Sequence, residues 1–316
     1  MQAIVCHTYG PPDVLKCEEV EKPAPGDDEV LAKIRAAGVN PVDKMFRAPF
    51  FLRTMTGLRK PKNTRLGRDL AGQVEAVGKN VTQVQPGDEV FGVAKGAFAE
   101  YVCASEKKLA PKPANITFEQ AAAVPIAAVT DLQGLRDKGR IQPGHKVLIN
   151  GAAGGVGTFA VQIAKAFGAD VTGVCSTRNV DMVRSIGADH VIDYTQEDFT
   201  RSAQRYDLIL DCMANHSFRA CRRVMSSRGI HVVCGGPVTR VLRAFLLSRF
   251  MSRIVAFVAS IEKQHLVVLK ELMEAKKVTP VIDRCYTLSE VPEAIRYLEQ
   301  GHARGKIVIT ISSAPA

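Results

Sequence analysis

The stretch that most constrains the fold runs from Lys146 to Lys165 and reads KVLINGAAGGVGTFAVQIAK. Its first five residues are β-branched and apolar, as in buried parallel strands, and the residues after the glycines recur apolar at helical spacing. A strand, a glycine turn and a helix in this order suit a pyrophosphate, because glycine lets the backbone approach the anion and the helix offers free N–H groups. The sequence therefore predicts a dinucleotide site at Gly151, Gly154, Gly155, Val156 and Gly157.

The spacing of these glycines is G-x-x-G-x-x-G, because Ala152 stands where the commoner fingerprint has its first glycine. The plain alternative is a glycine-rich turn that only packs a helix onto a sheet. The strand before the turn and the helix after it favour the dinucleotide interpretation.

The 316 residues are enough for two domains. Residues 1–120 contain short alternating segments between Pro-Gly turns, which is typical of a barrel or sandwich. From 121 to 261 strand and helix patterns alternate, which predicts a doubly wound parallel sheet. The predicted fold is therefore α/β, with a β-barrel or sandwich domain of residues 1–120 and 262–316 and a dinucleotide-binding domain of residues 121–261.

The composition bears on whether the protein is a membrane, secreted, metal-binding or nucleic-acid-binding protein. No apolar run reaches the roughly 18 residues that span a bilayer, and the N-terminal residues lack the pattern of a secretory signal, so we expect a cytoplasmic protein. The 8 cysteines are scattered without metal spacing, which indicates buried thiols and no metal. The net charge of +10 suits any polyanion. Because the sequence has no basic platform interleaved with aromatic residues, we do not expect nucleic-acid binding.

The strand that follows the glycine helix indicates which dinucleotide binds. It ends Val174-Cys175-Ser176-Thr177-Arg178, without the carboxylate that holds the 2′-hydroxyl of NAD. Ser176 and Thr177 can donate hydrogen bonds to a 2′-phosphate, and Arg178 can add a charge-assisted pair. The sequence therefore predicts that the cofactor is NADPH. The plain alternative for Arg178 is that it is a solvent-exposed residue of the first helical turn and contacts no phosphate.

Several further motifs carry a family resemblance over essentially the whole chain. They are Gly38–Asp43, Leu66–Gly72, Pro86–Val90, Gly96–Tyr101, Ala127–Thr130, the glycine turn, Gly187–Tyr194 and His302–Lys306. Together they resemble the medium-chain dehydrogenase/reductase superfamily, in its zinc-independent quinone oxidoreductase (zeta-crystallin-like) branch. The resemblance implies a GroES-like barrel, a Rossmann domain and a C-terminus that returns to the barrel.

The resemblance also bears on metal binding. The alcohol dehydrogenases of this superfamily bind catalytic zinc through residues that correspond to Asn40 and to Arg68-Asp69 here. An arginine is no zinc ligand, and the sulfur and imidazole ligands are missing at these positions. We therefore expect no metal.

The resemblance also implies contacts of individual residues with the substrate and the cofactor. Asn40 would hydrogen-bond a substrate oxygen beside the nicotinamide, unless it only caps its own turn. Thr130 would meet the nicotinamide or its ribose, unless it is a helix N-cap. Tyr194 would meet the 2′-phosphate, unless it is a buried aromatic residue. The remaining cofactor contacts implied are Gly235, Gly305 and Lys306.

The function implied is zinc-independent hydride transfer from NADPH to a quinone or an α,β-unsaturated carbonyl. Two alternatives of the same class are a trans-2-enoyl-thioester reductase and another carbonyl reductase. The first is disfavoured because Phe51 stands near where those enzymes place a tyrosine. An alternative of a different class is an NADPH-binding redox sensor, or a protein that binds RNA or another protein.

Two assembly features complete the expectations. The resemblance implies a homodimer in which the strand Gly229–Gly235 pairs across a two-fold axis. The segment Thr239–Arg253 mixes arginines with large apolar residues, and its pattern favours a flap or an intersubunit contact over a helix on a membrane surface.

Overall fold

The computed structural model describes residues 1–47, 57, 60–62 and 64–311 and divides the chain into two compact units. Unit 1 contains residues 1–126, 261–274 and 282–316, and unit 2 contains residues 127–260 and 275–281. The predicted α/β class, with a barrel-type domain and a parallel-sheet domain, is confirmed. The first division follows Ile126 instead of residue 120, and residues 275–281 belong to unit 2.

The bounds of the elements among the described residues are as follows. The strands are β1 (Gln2–Cys6), β2 (Leu15–Glu19), β3 (Glu29–Val39), β4 (Asp69–Val77), β5 (Glu89–Val93), β6 (Tyr101–Ser105), β7 (Leu109–Pro111), β8 (Lys146–Asn150), β9 (Asp170–Cys175), β10 (His190–Asp193), β11 (Tyr206–Asp211), β12 (Met225–Val233), β13 (Ile254–Ala256), β14 (Ile282–Thr287) and β15 (Lys306–Thr310). The helices are α1 (Phe118–Ala122), α2 (Pro125–Leu132), α3 (Gly157–Ala166), α4 (Val180–Ser185), α5 (Phe218–Arg223), α6 (Val238–Ser248), α7 (Lys263–Glu274) and α8 (Val291–Glu299).

Strand β3 organises unit 1. It pairs with β4 on one edge, while on the other edge its first half pairs with β6 and its second half with β15. The sheet order is β14-β15-β3-β4-β5-β7, and β1 and β2 form a separate antiparallel pair. Two register shifts in the β3–β4 ladder mark bulges, which bend strands and increase their twist. The C-terminal strand β15 therefore lies in the same sheet as β3, as the sequence predicted.

Two helices of unit 1 have features that can be seen in the sequence, an apolar face in α8 and a capping box before α1. Helix α8 buries Val291, Ala294 and Ile295, which share one face at steps of three and four residues. The pattern Thr117-x-x-Gln120 before α1 is that of a capping box, and the structure contains one. Thr117 Oγ1 accepts a hydrogen bond from the backbone N–H of Gln120, and Gln120 Oε1 accepts one from the N–H of Thr117, at 3.2 and 3.0 Å.

Unit 2 is a six-stranded parallel sheet with strand order β10-β9-β8-β11-β12-β13. The order reverses between β8 and β11, and ligands of such sheets bind beyond the carboxyl ends of the strands at this switch point. Val147, Leu148 and Ile149 of β8 are fully buried, as a strand covered on both faces requires. The glycine turn leaves the carboxyl end of this central strand.

The strand predicted to pair across a two-fold axis has no free edge. Residues 229–233 belong to β12, which pairs with β11 on one side and with β13 on the other. That part of the prediction is wrong, because both hydrogen-bonding edges of β12 are used within the unit. Among the described strands of this sheet, β10 and β13 are the edges, so a dimer built by sheet extension would need one of them.

The segment that follows β3 is only partly described by the structure. The basic, partly aromatic stretch of residues 45–66 has the pattern of a loop with a short helix. The structure has a 3₁₀ helix at Pro41–Arg47, and most of the stretch after it, including Phe50 and Phe51, lies outside the described residues. Phe46 is buried in the core of unit 1. Across the part of the chain that the structure describes, no helix has the length and apolar character to cross a membrane.

Candidate active site

The glycine turn of unit 2 depends on two of its glycines for different reasons. Gly151 has a φ of +90°, a conformation that residues with a side chain rarely adopt. A Cβ on Gly157 would lie 2.1 Å from the carbonyl oxygen of Gly151. Glycine at these positions therefore lets the chain turn sharply and lets the first turn of α3 pack directly on the strand end.

The face of this turn offers unpaired donors. The backbone N–H groups of Gly155, Val156 and Gly157 have no acceptor among the described residues, and they stand at the N-terminus of α3, which is ten residues long. A Cβ on Gly154 would meet nothing closer than the Gly151 carbonyl oxygen, at 3.5 Å. An open face lined by free N–H groups at a helix N-terminus fits the pyrophosphate of a dinucleotide.

A buried polar network holds the strand ends around the turn. Asp211, at the end of β11, accepts hydrogen bonds from Asn150 Nδ2 at 2.8 Å and from the N–H of Ala214 at 2.7 Å. Its second carboxylate oxygen lies 3.1 Å from Nε2 of His231 on β12. Burial by itself would raise the pKa of Asp211, but His231 and the donated hydrogen bonds hold it below its ordinary value. A buried carboxylate therefore connects the carboxyl ends of β8, β11 and β12.

The predicted 2′-phosphate site contains a carboxylate that the sequence analysis missed. Thr177 Oγ1 donates to Asp193 Oδ2 at 2.6 Å, because Asp193 ends β10 and stands in register with Cys175 at the end of β9. The hydrogen bond from Thr177 is the main reason that the pKa of Asp193 is lowered. Thr177 therefore uses its hydroxyl hydrogen within the protein, contrary to the prediction that it donates to phosphate.

Three other residues lie at or near this strand end, and Ser176 keeps a hydroxyl hydrogen for a ligand. Ser176 Oγ accepts from Asn179 Nδ2 at 3.1 Å, and its hydroxyl hydrogen has no acceptor among the described residues. Arg178 is exposed in the following turn. Tyr194 is 62% exposed, so its alternative as a buried aromatic residue is wrong. Its N–H donates to the Cys175 carbonyl oxygen at 3.0 Å, which fixes it beside the same strand end.

Asn40 belongs to a buried cluster in unit 1. Its Nδ2 donates to Asp69 Oδ2 at 2.9 Å and to the Gly38 carbonyl oxygen at 3.3 Å, and its Oδ1 accepts from Lys306 Nζ at 2.7 Å. Its backbone N–H donates to Asp43 Oδ2 at 2.8 Å. Both amide hydrogens of Asn40 are therefore used within the cluster, which leaves none for the substrate oxygen of the sequence prediction.

Lys306 is also part of this cluster, contrary to its predicted role at the cofactor. It is 3% exposed, and its Nζ donates to the carbonyl oxygen of Val39 at 3.0 Å in addition to Asn40. It lies 3.8 Å from the carboxylate of Asp69. Burial lowers the pKa of Lys306, and the nearby carboxylates oppose that shift. Its neighbour Gly305 is buried with a φ of +102° and turns the chain into β15.

The carboxyl groups of the cluster are strongly perturbed. Burial raises the pKa of Asp43 to about 7 and that of Asp69 to about 6, while the charge of Lys306 acts against both shifts. Asp69 also accepts the N–H of Ile126 at 3.1 Å, which fixes the start of α2. The cluster thus joins the end of β3, the start of β4 and the start of β15, and no water or metal ligand is required to satisfy Asn40.

Two further predicted residues lie in unit 2. Thr130 is half-buried inside α2, which begins at Pro125, so its alternative as a helix N-cap is wrong. A Cβ on Gly235 would lie 2.5 Å from the carbonyl oxygen of Cys212. Glycine at this position therefore lets the chain after β12 approach the end of β11. The predicted residues thus divide between the units, with Asn40, Gly305 and Lys306 in unit 1 and the others in unit 2.

Comparisons with known proteins find matches in both units. Residues 26–114 match the family model "Alcohol dehydrogenase GroES-like domain", and residues 186–309 match "Zinc-binding dehydrogenase". A 2-methylene-furan-3-one reductase from Solanum lycopersicum is 36% identical, over 95% of this chain and 76% of the relative. A chloroplastic NADPH-dependent alkenal/one oxidoreductase from Arabidopsis thaliana is also 36% identical, over 98% of this chain and 79% of the relative.

A solved structure extends the comparison to the fold. The quinone oxidoreductase from Coxiella burnetii superimposes with a TM-score of 0.89 at 31% identity, covering 99% of both chains. Fold and site together define an oxidoreductase that uses a nicotinamide cofactor. The chain belongs to the medium-chain dehydrogenase/reductase superfamily, in its quinone oxidoreductase branch, so the resemblance carried by the sequence motifs is confirmed.

Substituting the two glycines separately should distinguish binding from folding. Gly154→Ala places a methyl group on the open face, so we expect an unchanged thermal midpoint and dinucleotide binding weaker by roughly tenfold or more. Gly157→Ala forces a contact with backbone, so we expect a loss of about 1–3 kcal/mol of stability. Calorimetry measures the midpoints, and NADPH fluorescence follows binding without interference, since the chain has no Trp. Equal binding by Gly154→Ala and the parent would contradict the assignment of the open face.

Replacing Lys306 should separate a structural role from a cofactor role. Lys306→Met leaves Asp69 buried without its cation, so we expect a loss of about 3–5 kcal/mol of stability and an unchanged ratio of NADPH to NADH affinity. Lys79→Met is the matched control in the same unit. Its ion pair with Asp27 is exposed, so its removal should cost less than about 1 kcal/mol. A selective loss of NADPH affinity at an unchanged midpoint would restore the cofactor role.

Proposed function

We propose that this protein transfers hydride from NADPH to a quinone or an α,β-unsaturated carbonyl, without a catalytic zinc at the position used by alcohol dehydrogenases. The observation that carries the proposal is the turn 151–157, which places unpaired N–H groups at a helix N-terminus and leaves room beside Gly154. Relatives named as alkenal/one and quinone oxidoreductases support the substrate class. The reduced nicotinamide supplies the hydride when bound, and the protein supplies binding, orientation and exclusion of water.

The preference for NADPH over NADH rests on the strand end after β9. Ser176 retains a hydroxyl hydrogen for a phosphate oxygen, and Arg178 adds a positive charge in the next turn. Asp193 would repel a phosphate, but its oxygens already accept hydrogen bonds from Thr177, Thr195 and Gln196. A carboxylate committed in this way is less available to a ribose hydroxyl, so its presence does not turn the site toward NADH.

The absence of zinc from the reaction is proposed from the chemistry of unit 1. Asp69 offers a carboxylate at the second zinc position of the family, but Asn40 and Ile126 hold both of its oxygens. Quinones and enones are already electrophilic, so they need less polarisation than an alcohol that must be oxidised. Asn40 and Lys306 are proposed as positioning residues that fix the end of β3, and substrate contacts are left to the loops that follow it.

The function is tested by following oxidation of NADPH and of NADH with 9,10-phenanthrenequinone and with a simple enone as acceptors. We expect turnover with NADPH that exceeds turnover with NADH by about tenfold or more, as one additional charge-assisted contact provides. Gly154→Ala serves as the control, because it should lower turnover while the protein stays folded. Tight NADPH binding without turnover of either acceptor would overturn the proposal and favour enoyl thioesters or a sensor role.

The preference for NADPH has its own test. Arg178→Ala should raise KM for NADPH by about 10- to 100-fold, because one charge-assisted hydrogen bond to phosphate contributes about 1.5–3 kcal/mol. The KM for NADH should stay the same. Arg184→Ala is a matched control, since this exposed arginine lies on α4 in the same unit and faces Asp181. An equal rise for both cofactors would contradict the 2′-phosphate assignment.

A further inference from the structure

Three side chains from distant parts of the sequence converge in unit 2. They are Asp131 of α2, Cys212 directly after β11 and Cys234 directly after β12. Their donor atoms all lie within 4.8 Å of one another, and the two sulfur atoms are 3.7 Å apart. None of these residues takes part in the dinucleotide site described above, so the cluster needs an explanation of its own.

The parallel sheet produces the sulfur pair directly. Asp211 and Val233 are register partners in the β11–β12 ladder, and the two cysteines are the next residue on each strand. Gly235 then lets the chain pass within contact distance of the Cys212 carbonyl oxygen. The thiols are therefore held side by side by backbone pairing, which is a rigid support for a pair of ligands.

Asp131 is the observation that points to a ligand. Its side chain is fully buried, and neither carboxylate oxygen has a hydrogen-bond partner among the described residues. An unpaired buried carboxyl group is costly, and native proteins rarely retain one without a role. Burial raises its pKa well above the ordinary value, and Cys234 adds to that shift. The carboxyl group lies next to two sulfur atoms, with no hydrogen-bond partner among the described residues.

The distance between the sulfur atoms is compatible with a shared zinc ion, and it is also that of the hydrogen bond that Cys234 Sγ donates to Cys212 Sγ. Two thiolates bound at about 2.3 Å to a tetrahedral zinc ion stand about 3.8 Å apart. The observed separation of 3.7 Å fits this edge of the tetrahedron, whereas a disulfide requires about 2.0 Å. Two sulfur ligands and one carboxylate are also a donor set that zinc accepts, while magnesium and calcium prefer oxygen ligands throughout.

We propose that Asp131, Cys212 and Cys234 form a zinc-binding site in unit 2, with three protein ligands and a fourth coordination position left for water or another small ligand. This site is distinct from the zinc position of the alcohol dehydrogenases, whose residues lie in unit 1. The sequence showed no sign of this site, because metal sites are recognised in a sequence by ligands that stand a few residues apart. Asp131 and Cys212 are separated by 81 positions, and Cys212 and Cys234 by 22.

Metal binding at this site exchanges protons for the ion. The Asp131 carboxyl group and the two thiols lose three protons when they become ligands, and no electrons are transferred. The cluster changes from neutral to a net charge of −1 when a zinc ion replaces those protons. Cys212 and Cys234 are half-buried residues, whereas Asp131 is fully buried. Zinc affinity should therefore rise with pH and should also raise the thermal midpoint.

A second group, Asp211, Cys221 and His231, also brings three donors together. Its carboxylate already accepts hydrogen bonds from Asn150, Ala214 and His231. Burial also raises the pKa of Cys221 to about 12. A metal there would have to displace existing hydrogen bonds, so Asp131, Cys212 and Cys234 are the better site.

The test begins with the full-length, reduced protein after treatment with a chelator. Equilibration with Zn²⁺ followed by dialysis should leave one zinc per chain. Titration with Co²⁺ should produce thiolate-to-metal charge-transfer absorption together with the visible bands of tetrahedral cobalt. Absence of retained zinc, or cobalt spectra without thiolate absorption, would overturn the proposal with the parent protein alone.

Variants assign the ligands. Cys212→Ser and Cys234→Ser should each abolish stoichiometric retention. Asp131→Asn keeps the shape of the neutral carboxyl group, so the metal-free protein should stay folded while zinc affinity falls by at least about tenfold, no less than the loss of an outer-shell partner. Cys285→Ser is the control, because this exposed thiol in unit 1 would account for adventitious binding. It should retain zinc like the parent.

Two results would contradict the three-ligand site specifically. One is equal zinc affinity in Asp131→Asn and the parent, which would remove the carboxylate from the site. The other is loss of two hydrogens by mass from the non-reduced protein, dependent on Cys212 and Cys234, with no zinc retained after reduction. That outcome would make the two cysteines a disulfide pair instead of metal ligands.

Discussion

The carboxylate of Asp211 is the interaction on which the site of unit 2 depends. It accepts hydrogen bonds from β8, from the loop after β11 and from β12, and these elements carry the glycine turn, Cys212 and Cys234. A buried charge of this kind is stable only when its partners are all in place. The same partners therefore fix the relative positions of three neighbouring strand ends, where parallel sheets bind their ligands.

In unit 1 the comparable constraint is the group of Asn40, Asp43, Asp69 and Lys306. A lysine and two carboxyl groups are removed from water together, and each is satisfied by the others or by backbone. Removing one partner leaves an uncompensated buried charge, which costs more than the group contributes when intact. Such a cluster fixes the end of β3 and the beginnings of β4 and β15.

The sequence predicted most of the fold, and the structure places the predicted glycine turn at the end of a central strand of the parallel sheet. Patterns of short range were reliable, such as the capping box at Thr117, the apolar face of α8 and the glycines at 151 and 157. The errors concern residues whose partners are distant along the chain. Thr177 donates to Asp193 from the neighbouring strand, and Lys306 is held by Val39 and Asn40 across the sheet. No pattern in the sequence indicates that Thr177 meets Asp193 or that Lys306 meets Val39 and Asn40.

The sequence by itself determined the two-unit α/β fold and the strand–turn–helix motif, because both depend on local dihedral preferences and on the period of apolar residues. It also indicated the superfamily, through motifs that resemble those of known members. Only the tertiary structure decided which polar side chains meet. Strand order brings Asp193 to Thr177, and register places Cys212 beside Cys234. These contacts follow from hydrogen-bonded pairing between segments far apart in sequence, and a side chain's available hydrogens are known only when those neighbours are in place.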